Sequence, residues 1–240
     1  MKETISIQKI SKRYGNKVVL NDIDLSIKEG SIYGFIGPSG AGKTTLVKMI
    51  VGMDKPDRGD IHVLNQKVPN LRLLQEIGYM AQSDALYAEL TGKENLTFFA
   101  SLYKLNKAEI KERITYTANL VNLTEHLSKK VLAYSGGMKR RLSLAIALIQ
   151  NPQILILDEP TVGIDPELRF SIWKELIRLK EQEGKTIIVT THVMDEAEKC
   201  DYIAMVRDGA IITSGTPQKL KEQYKASNFD EVFLNAGRKK

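Results

Sequence analysis

The feature that most constrains this chain is the run Gly37-Pro38-Ser39-Gly40-Ala41-Gly42-Lys43-Thr44, which fits the pattern GxxxxGK[ST]. Glycines there let backbone N–H groups turn inward around an anion where a Cβ would block them. Ser31 to Ile36 reads as a strand leading directly into the run. A helix begins near Lys43, with Leu46, Val47, Ile50 and Val51 on one face. The positive end of that helix adds to the attraction for phosphate. Strand, glycine loop and helix in that order predict a nucleotide held by its phosphates. Lys43 is suited to reach the β- and γ-phosphates and the Thr44 hydroxyl to ligate Mg²⁺, with Thr45 beside it. Kinases, switches and motors share the pattern, so the loop by itself says only that a nucleotide binds.

Leu155-Ile156-Leu157-Asp158-Glu159 narrows the chemistry. The aliphatic run Ile154 to Leu157 is expected of a parallel strand covered on both faces. A carboxylate pair leaving its end stands at the crevice where such sheets bind ligands. Asp158 is suited to hold Mg²⁺ through its water, and Glu159 to orient and activate an attacking water. Asp158 could also merely cap a turn. Tyr134-Ser135-Gly136-Gly137-Met138 is a second glycine-rich turn opening a helix, in which Ser135 can act as N-cap and, with the Gly137 N–H, as an anion site. Taken alone, a serine N-cap after a loop is a common structural device.

The rest of the chain predicts an α/β core interrupted by helices. Ile23, Leu25 and Ile27 alternate with polar residues as a half-buried strand, and the whole first stretch reads as short strands. From about Leu86 the pattern becomes helix after helix: Lys93 to Lys104, one opening at Asn106 with Glu109 in a near capping box, and one after Ser135. Asp165-Pro166 supplies an N-cap and first turn for a helix striped by Leu168, Ile172, Leu176 and Leu179. Ile77 to Met80, Thr186 to Thr191 and Tyr202 to Val206 read as further strands. The expected division is a core of 1–86 and 150–222, a helical unit of 87–149 and a tail of 223–240.

Composition sets bounds. With 42% hydrophobic and 27% charged residues the chain is globular. Its longest apolar runs, Ile154 to Leu157 and Leu144 to Ile149, are far short of the roughly 20 residues that cross a bilayer, and Met1-Lys2-Glu3-Thr4 lacks a signal's apolar core; a cytosolic chain is expected. The lone Cys200 excludes an internal disulfide and reads as a small buried filler. A formal charge of +6 suits a polyanion without choosing one. Its two short clusters, Lys139-Arg140-Arg141 and Arg238-Lys239-Lys240, read as solvated surface.

The phosphate loop, the Ser-Gly-Gly turn at 135 to 137, the aliphatic-Asp-Glu strand and their spacing together resemble the ABC ATPase cassette over nearly the whole chain. The resemblance implies a P-loop NTPase fold, a mixed sheet flanked by helices with an inserted helical subdomain. Two cassettes would close head to tail around two ATPs, with Mg²⁺, so that Ser135, Gly136 and Gly137 of one face the γ-phosphate bound by the other. Tyr14 would stack on adenine, Gln82 would sense Mg²⁺ and water, Asp165 would lie in the D-loop, and His192 would contact the γ-phosphate beside the catalytic Glu159. The chain departs from the commonest Leu-Ser-Gly-Gly-Gln signature at Tyr134 and Met138. The form Tyr-Ser-Gly-Gly-Met-Lys-Arg-Arg and the tail Phe229-Asp230-Glu231-Val232-Phe233-Leu234 are similar to the drug- and lipid-export branch with ABC-2-type permeases, although the tail's acidic pair is reordered. The implied protein is a peripheral subunit on the cytoplasmic face, in a homodimer, with no nucleic acid. A small-molecule kinase would leave Ser135 and Glu159 unexplained. A chromosome-type ABC ATPase would need coiled-coil arms between Gln82 and Ser135, and a ribosome-acting one normally has two cassettes.

Overall fold

The computed structural model describes residues 3–83 and 85–238. The basic end predicted at 238–240 therefore lies, at Lys239 and Lys240, outside the described residues. Elements run β1 (Glu3–Tyr14), β2 (Lys17–Lys28), β3 (Ile32–Ile36), α1 (Lys43–Ile50), β4 (Arg58–Val63), β5 (Gln66–Lys67), β6 (Ile77–Met80), α2 (Gly92–Ser101), α3 (Lys107–Leu120) and α4 (Gly136–Ala147). They continue β7 (Ile154–Asp158), α5 (Pro166–Glu183), β8 (Thr186–Thr191), β9 (Tyr202–Arg207), β10 (Ala210–Gly215), α6 (Pro217–Tyr224) and α7 (Phe229–Arg238). The expected short first strands are instead a pair of 12-residue strands, β1 and β2, whose antiparallel register absorbs several bulges.

There are two sheets. Strands β2-β1-β4-β5 form an antiparallel sheet, and β10-β9-β3-β8-β7-β6 form the larger one. In the larger sheet every pairing from β9 to β6 is parallel, and only β10 runs antiparallel. Successive side chains of a strand point to opposite faces, and the central strands divide accordingly. Leu155 and Leu157 of β7, with Ile187 and Val189 of β8, join one core with α4 and α5. Ile154, Ile156 and Ile188 join the other, with α1 and the antiparallel sheet. That division is why β7 has to be an unbroken aliphatic run: both faces are buried.

The helices start where the sequence marks them. Asn106 accepts from the Ala108 and Glu109 N–H groups and Glu109 answers at the Asn106 N–H, a complete capping box. Asp165 accepts from the Leu168 N–H, with Pro166 in the first turn of α5. Helix α2 ends at Ser101, short of the expected Lys104. Cys200 is buried, its Sγ 3.6 Å from the Glu196 carbonyl, and burial pushes the thiol pKa far up.

Lys139-Arg140-Arg141 corrects the solvated reading. Arg140 is 7% exposed, and Arg141 reaches the Asn122 carbonyl at 3.2 Å. Arg140 stands four residues before Leu144 and seven before Ala147, both buried, so helical periodicity carries it onto the inner face.

Ile156 is fully buried in the strand that carries the carboxylates. Ile156→Ala should therefore cost about 2–5 kcal/mol of stability. Phe170→Ala, at a side chain 68% exposed on α5, should change it by no more than about 0.5 kcal/mol. Urea unfolding midpoints of the two variants against the parent check both.

Candidate functional site

Register assembles the site. Strand β8 lies between β3 and β7, with Ile36 opposite Thr191 and Asp158 opposite Thr190. The carboxyl ends of three adjacent parallel strands thus carry the glycine loop, the acidic pair and the approach to His192, at the edge where open α/β sheets take ligands. A cavity of about 390 Å³ opens there, lined by Tyr14, Lys17, Val19, Ser39, Gly40, Gly42, Lys43, Thr44, Thr45, Gln82 and Glu159.

The loop needs its glycines for space as well as for conformation. A Cβ on Gly37 would meet the Val206 carbonyl oxygen at 2.0 Å. Gly42 holds φ at 106°, and a Cβ there would lie 2.8 Å from the Val19 oxygen. Gly42 is also the N-cap of α1 and has no side chain to accept from the first turn. The opening N–H groups of α1 are thereby free of any side-chain acceptor, which suits an anion. Pro38 and Ala41 close the loop, the Ala41 N–H bonding the Pro38 carbonyl at 3.2 Å. Lys43 is 4% exposed and its Nζ donates to the Gly37 and Pro38 carbonyls at 2.7 and 3.0 Å. Burial pulls its pKa below the ordinary lysine value, against the Glu159 and Asp158 charges that raise it.

The acidic pair is unequal. Asp158 is fully buried; its Oδ1 accepts from the Thr190 hydroxyl, and its Oδ2 is buried with no hydrogen-bond partner among the described residues. Glu159 turns out of the strand with φ at 55°, in the left-handed region. Its N–H donates to the Thr190 carbonyl and hydroxyl oxygens, both at 3.1 Å. Its carboxylate meets Gln82 Nε2 at 3.4 Å and His192 Nδ1 at 3.1 Å. Two residues from separate loops, Gln82 and His192, therefore converge on one carboxylate beside the phosphate loop.

Tyr14 is half-exposed at the cavity's other end. Its hydroxyl donates to Asp54, which holds the phenol pKa above its usual value. Asp54 also accepts from Lys12 Nζ at 2.7 Å, and that ammonium lies 5.1 Å from the Tyr14 ring centroid. The ring is thus fixed by an ion pair that sequence inspection missed.

Ser135, Gly136 and Gly137 are brought elsewhere. Among the described residues the cavity lining includes none of them. Ser135 caps α4, its Oγ accepting from the Met138 N–H at 3.2 Å. A Cβ on Gly137 would be 3.3 Å from the Gly163 oxygen, so the turn lies against the segment leading to Asp165. Asp165 caps α5 and is likewise outside the lining. Tyr134, where leucine is commoner, sends its hydroxyl to the His126 carbonyl at 2.7 Å, over Gly92, where a Cβ would strike that hydroxyl. The departure from the common signature is absorbed by a glycine.

Besides Lys12 and Asp54, Thr190 and Arg140 are residues sequence reasoning missed. Thr190 is a polar residue in a strand whose neighbours Ile187, Ile188 and Val189 are aliphatic and buried. That contrast was the available signal.

Residues 20–162 match the family model described as ABC transporter. The chain is 43% identical over 232 residues to a Nod factor export ATP-binding protein I of Rhizobium johnstonii, covering 95% of this chain and 74% of the relative. It is 38% identical to one of Burkholderia orbicola, covering 95% and 76%. Among solved structures it is similar to an ATP-binding subunit of an ABC transporter, with a TM-score of 0.90, 27% identity and 98% and 99% of the two chains covered. It is also similar to a dimeric ATP-binding cassette in a post-hydrolysis state bound to ADP and Pi, with a TM-score of 0.82, 29% identity and 88% and 98% covered.

A flat ring anchored at one edge and half-exposed leaves surface on which a base can stack. Tyr14→Ala should weaken ATP binding by about 1–3 kcal/mol, and Tyr14→Trp should largely retain it. Equal affinities by isothermal titration calorimetry would return Tyr14 to an ordinary surface position.

Proposed function

The chain belongs to the ABC transporter family as an ATP-binding, ATP-hydrolysing subunit, and we propose that it works as one of a head-to-tail pair of cassettes powering export through a separate ABC-2-type membrane protein. The observation that carries the reading is that Gln82 and His192 both meet the carboxylate of Glu159, which lines the phosphate-loop cavity together with Gln82. Ser135 to Gly137 stand away from that cavity, which supports their completing the site of a second chain. The relatives at 38–43% identity are named for export, and the tail of export type forms α7, with Phe229 and Val232 buried. No helix among the described residues is long and apolar enough to cross a membrane. A peripheral place on the cytoplasmic face, docked on the permease, follows from the reading. In the same reading 1–86 and 150–222 form the nucleotide core, 87–149 the signature unit and 223–240 the tail.

The donor set fits Mg²⁺. Among the described residues no group of three His, Cys, Asp or Glu side chains could hold a metal by itself. Mg²⁺ keeps several waters and is bound by one or two protein oxygens together with substrate phosphates. The unpartnered Asp158 Oδ2 and the Thr44 hydroxyl are such oxygens, with Gln82 at the rim. Bound there, the ion would neutralise phosphate charge. The chain's own residues do the rest. The loop of Gly37 to Thr44, with Thr45, holds the phosphates, and Tyr14 holds the base. Glu159 takes the proton of the attacking water, while Gln82 and His192 fix the direction of its carboxylate. Asp165 would serve as the D-loop aspartate, two residues after Gly163, which lies against the Ser-Gly-Gly turn.

Glu159→Gln keeps the shape of the side chain and removes the charge that accepts the proton. It should slow hydrolysis by roughly 10²–10⁴-fold with ATP still bound, leaving an ATP-dependent dimer on size exclusion. Wild-type turnover by this variant would move the base elsewhere. Ser135→Arg should block that dimer while each monomer still binds ATP. Loss of monomer binding would put the serine in its own chain's site.

A further inference from the structure

Arg140 is buried on α4, the helix that Ser135 caps. Its guanidinium donates from Nη1 to the carbonyls of Ala81 and Gln82, at 2.8 and 2.9 Å. From Nη2 it donates to the carbonyls of Asp158 and Glu159, the latter at 2.7 Å. One planar side chain thus ties the backbone of the two segments whose side chains meet at the catalytic carboxylate, Gln82 Nε2 to Glu159 Oε2. A lysine has three donors on a single point and cannot span four carbonyls in this fork.

The tie acts where the backbone is under strain. Glu159 is a non-glycine residue at φ 55°, a conformation that persists only where the surroundings over-determine it. Two side chains restrain the peptides that flank it. Thr190 takes its N–H, and Arg140 takes its C=O together with that of Asp158. Arg140 bonds a carbonyl in each of the two peptides flanking Glu159, so removing it loosens the backbone that aims the carboxylate at Gln82 and His192. The phosphate loop and Tyr14 receive none of these four hydrogen bonds.

We propose that Arg140 is a positioning residue: through it helix α4 locks the Gln82 loop and the strained Glu159 into the geometry that activates water. The inference rests on Glu159 being the base. It makes hydrolysis, and not nucleotide binding, depend on how α4 is seated, and α4 is the helix that presents the Ser-Gly-Gly turn.

The test is a double-mutant cycle on turnover and ATP affinity. Arg140→Met keeps the unbranched stem and removes the donors. It should lower kcat on the order of 10²-fold, the cost of a misplaced catalytic group, with ATP affinity unchanged. Arg140→Lys should recover only part of the rate. In the Glu159→Gln background Arg140→Met should cost nothing further under single-turnover conditions, because the group it positions is gone. Wild-type turnover in Arg140→Met, beside a slow Glu159→Gln, overturns the proposal. So does an equal fractional loss in both backgrounds, or a parallel loss of ATP binding, either of which marks a purely structural arginine. If Arg140→Met does not fold, the same cycle is run with Arg140→Lys, where a wild-type rate is the contrary result. Wild-type turnover by Glu159→Gln would instead remove the base assignment on which the inference stands.

Discussion

The pairing of β7 with β8 sets the rest of the site. Asp158 lies in register with Thr190, and the threonine's hydroxyl serves both carboxylate residues: it donates to Asp158 and accepts from the Glu159 N–H. Sliding β7 by one residue would send every side chain to the opposite face, exchanging the residues buried in the two cores and turning the acidic pair away from the loop. Register is therefore fixed by hydrophobic burial, and the chemistry inherits it. The same central position of β8 places the loop after β3 within reach of carboxylates from a strand it does not touch.

The site then divides its groups by environment. Asp158 is wholly buried with one oxygen satisfied and one not, the condition of a carboxylate that expects a cation. Glu159 leaves the strand at a positive φ and is met by Gln82 and His192. Lys43 is buried beside both. One acid inside the strand and one held just beyond it give a single crevice two different environments. The strain at Glu159 has to be balanced by its neighbours, and Thr190 and Arg140 are those neighbours.

Much of this was legible. The phosphate loop, the acidic strand end and the caps at Asn106, Ser135 and Asp165 are local signals, and the structure forms each of them locally. Helix α2 ends before Leu102 and Tyr103, although these residues continue its apolar pattern in the sequence. The antiparallel sheet was only a run of strands in sequence, since pairings such as Ile5 with Val63 depend on distant residues. Arg140 is hard to place for a different reason: inside a basic triplet its charge points to solvent, whereas its spacing to Leu144 and Ala147 puts it inside. The Lys12–Asp54 pair beside Tyr14 joins β1 to the loop after α1 and leaves no local trace in the sequence.

The central claim is that the loop of one chain and the Ser-Gly-Gly turn of another make one working site. Mixing tests it most directly, using Lys43→Ala, which spoils the loop, and Ser135→Arg, which spoils the turn. Either variant alone has no intact composite site, whereas a mixed pair has one. ATP turnover should be absent from each preparation alone and emerge on mixing. A mixture as silent as its components, beside an active parent chain, would contradict the account, as would full turnover by Ser135→Arg alone.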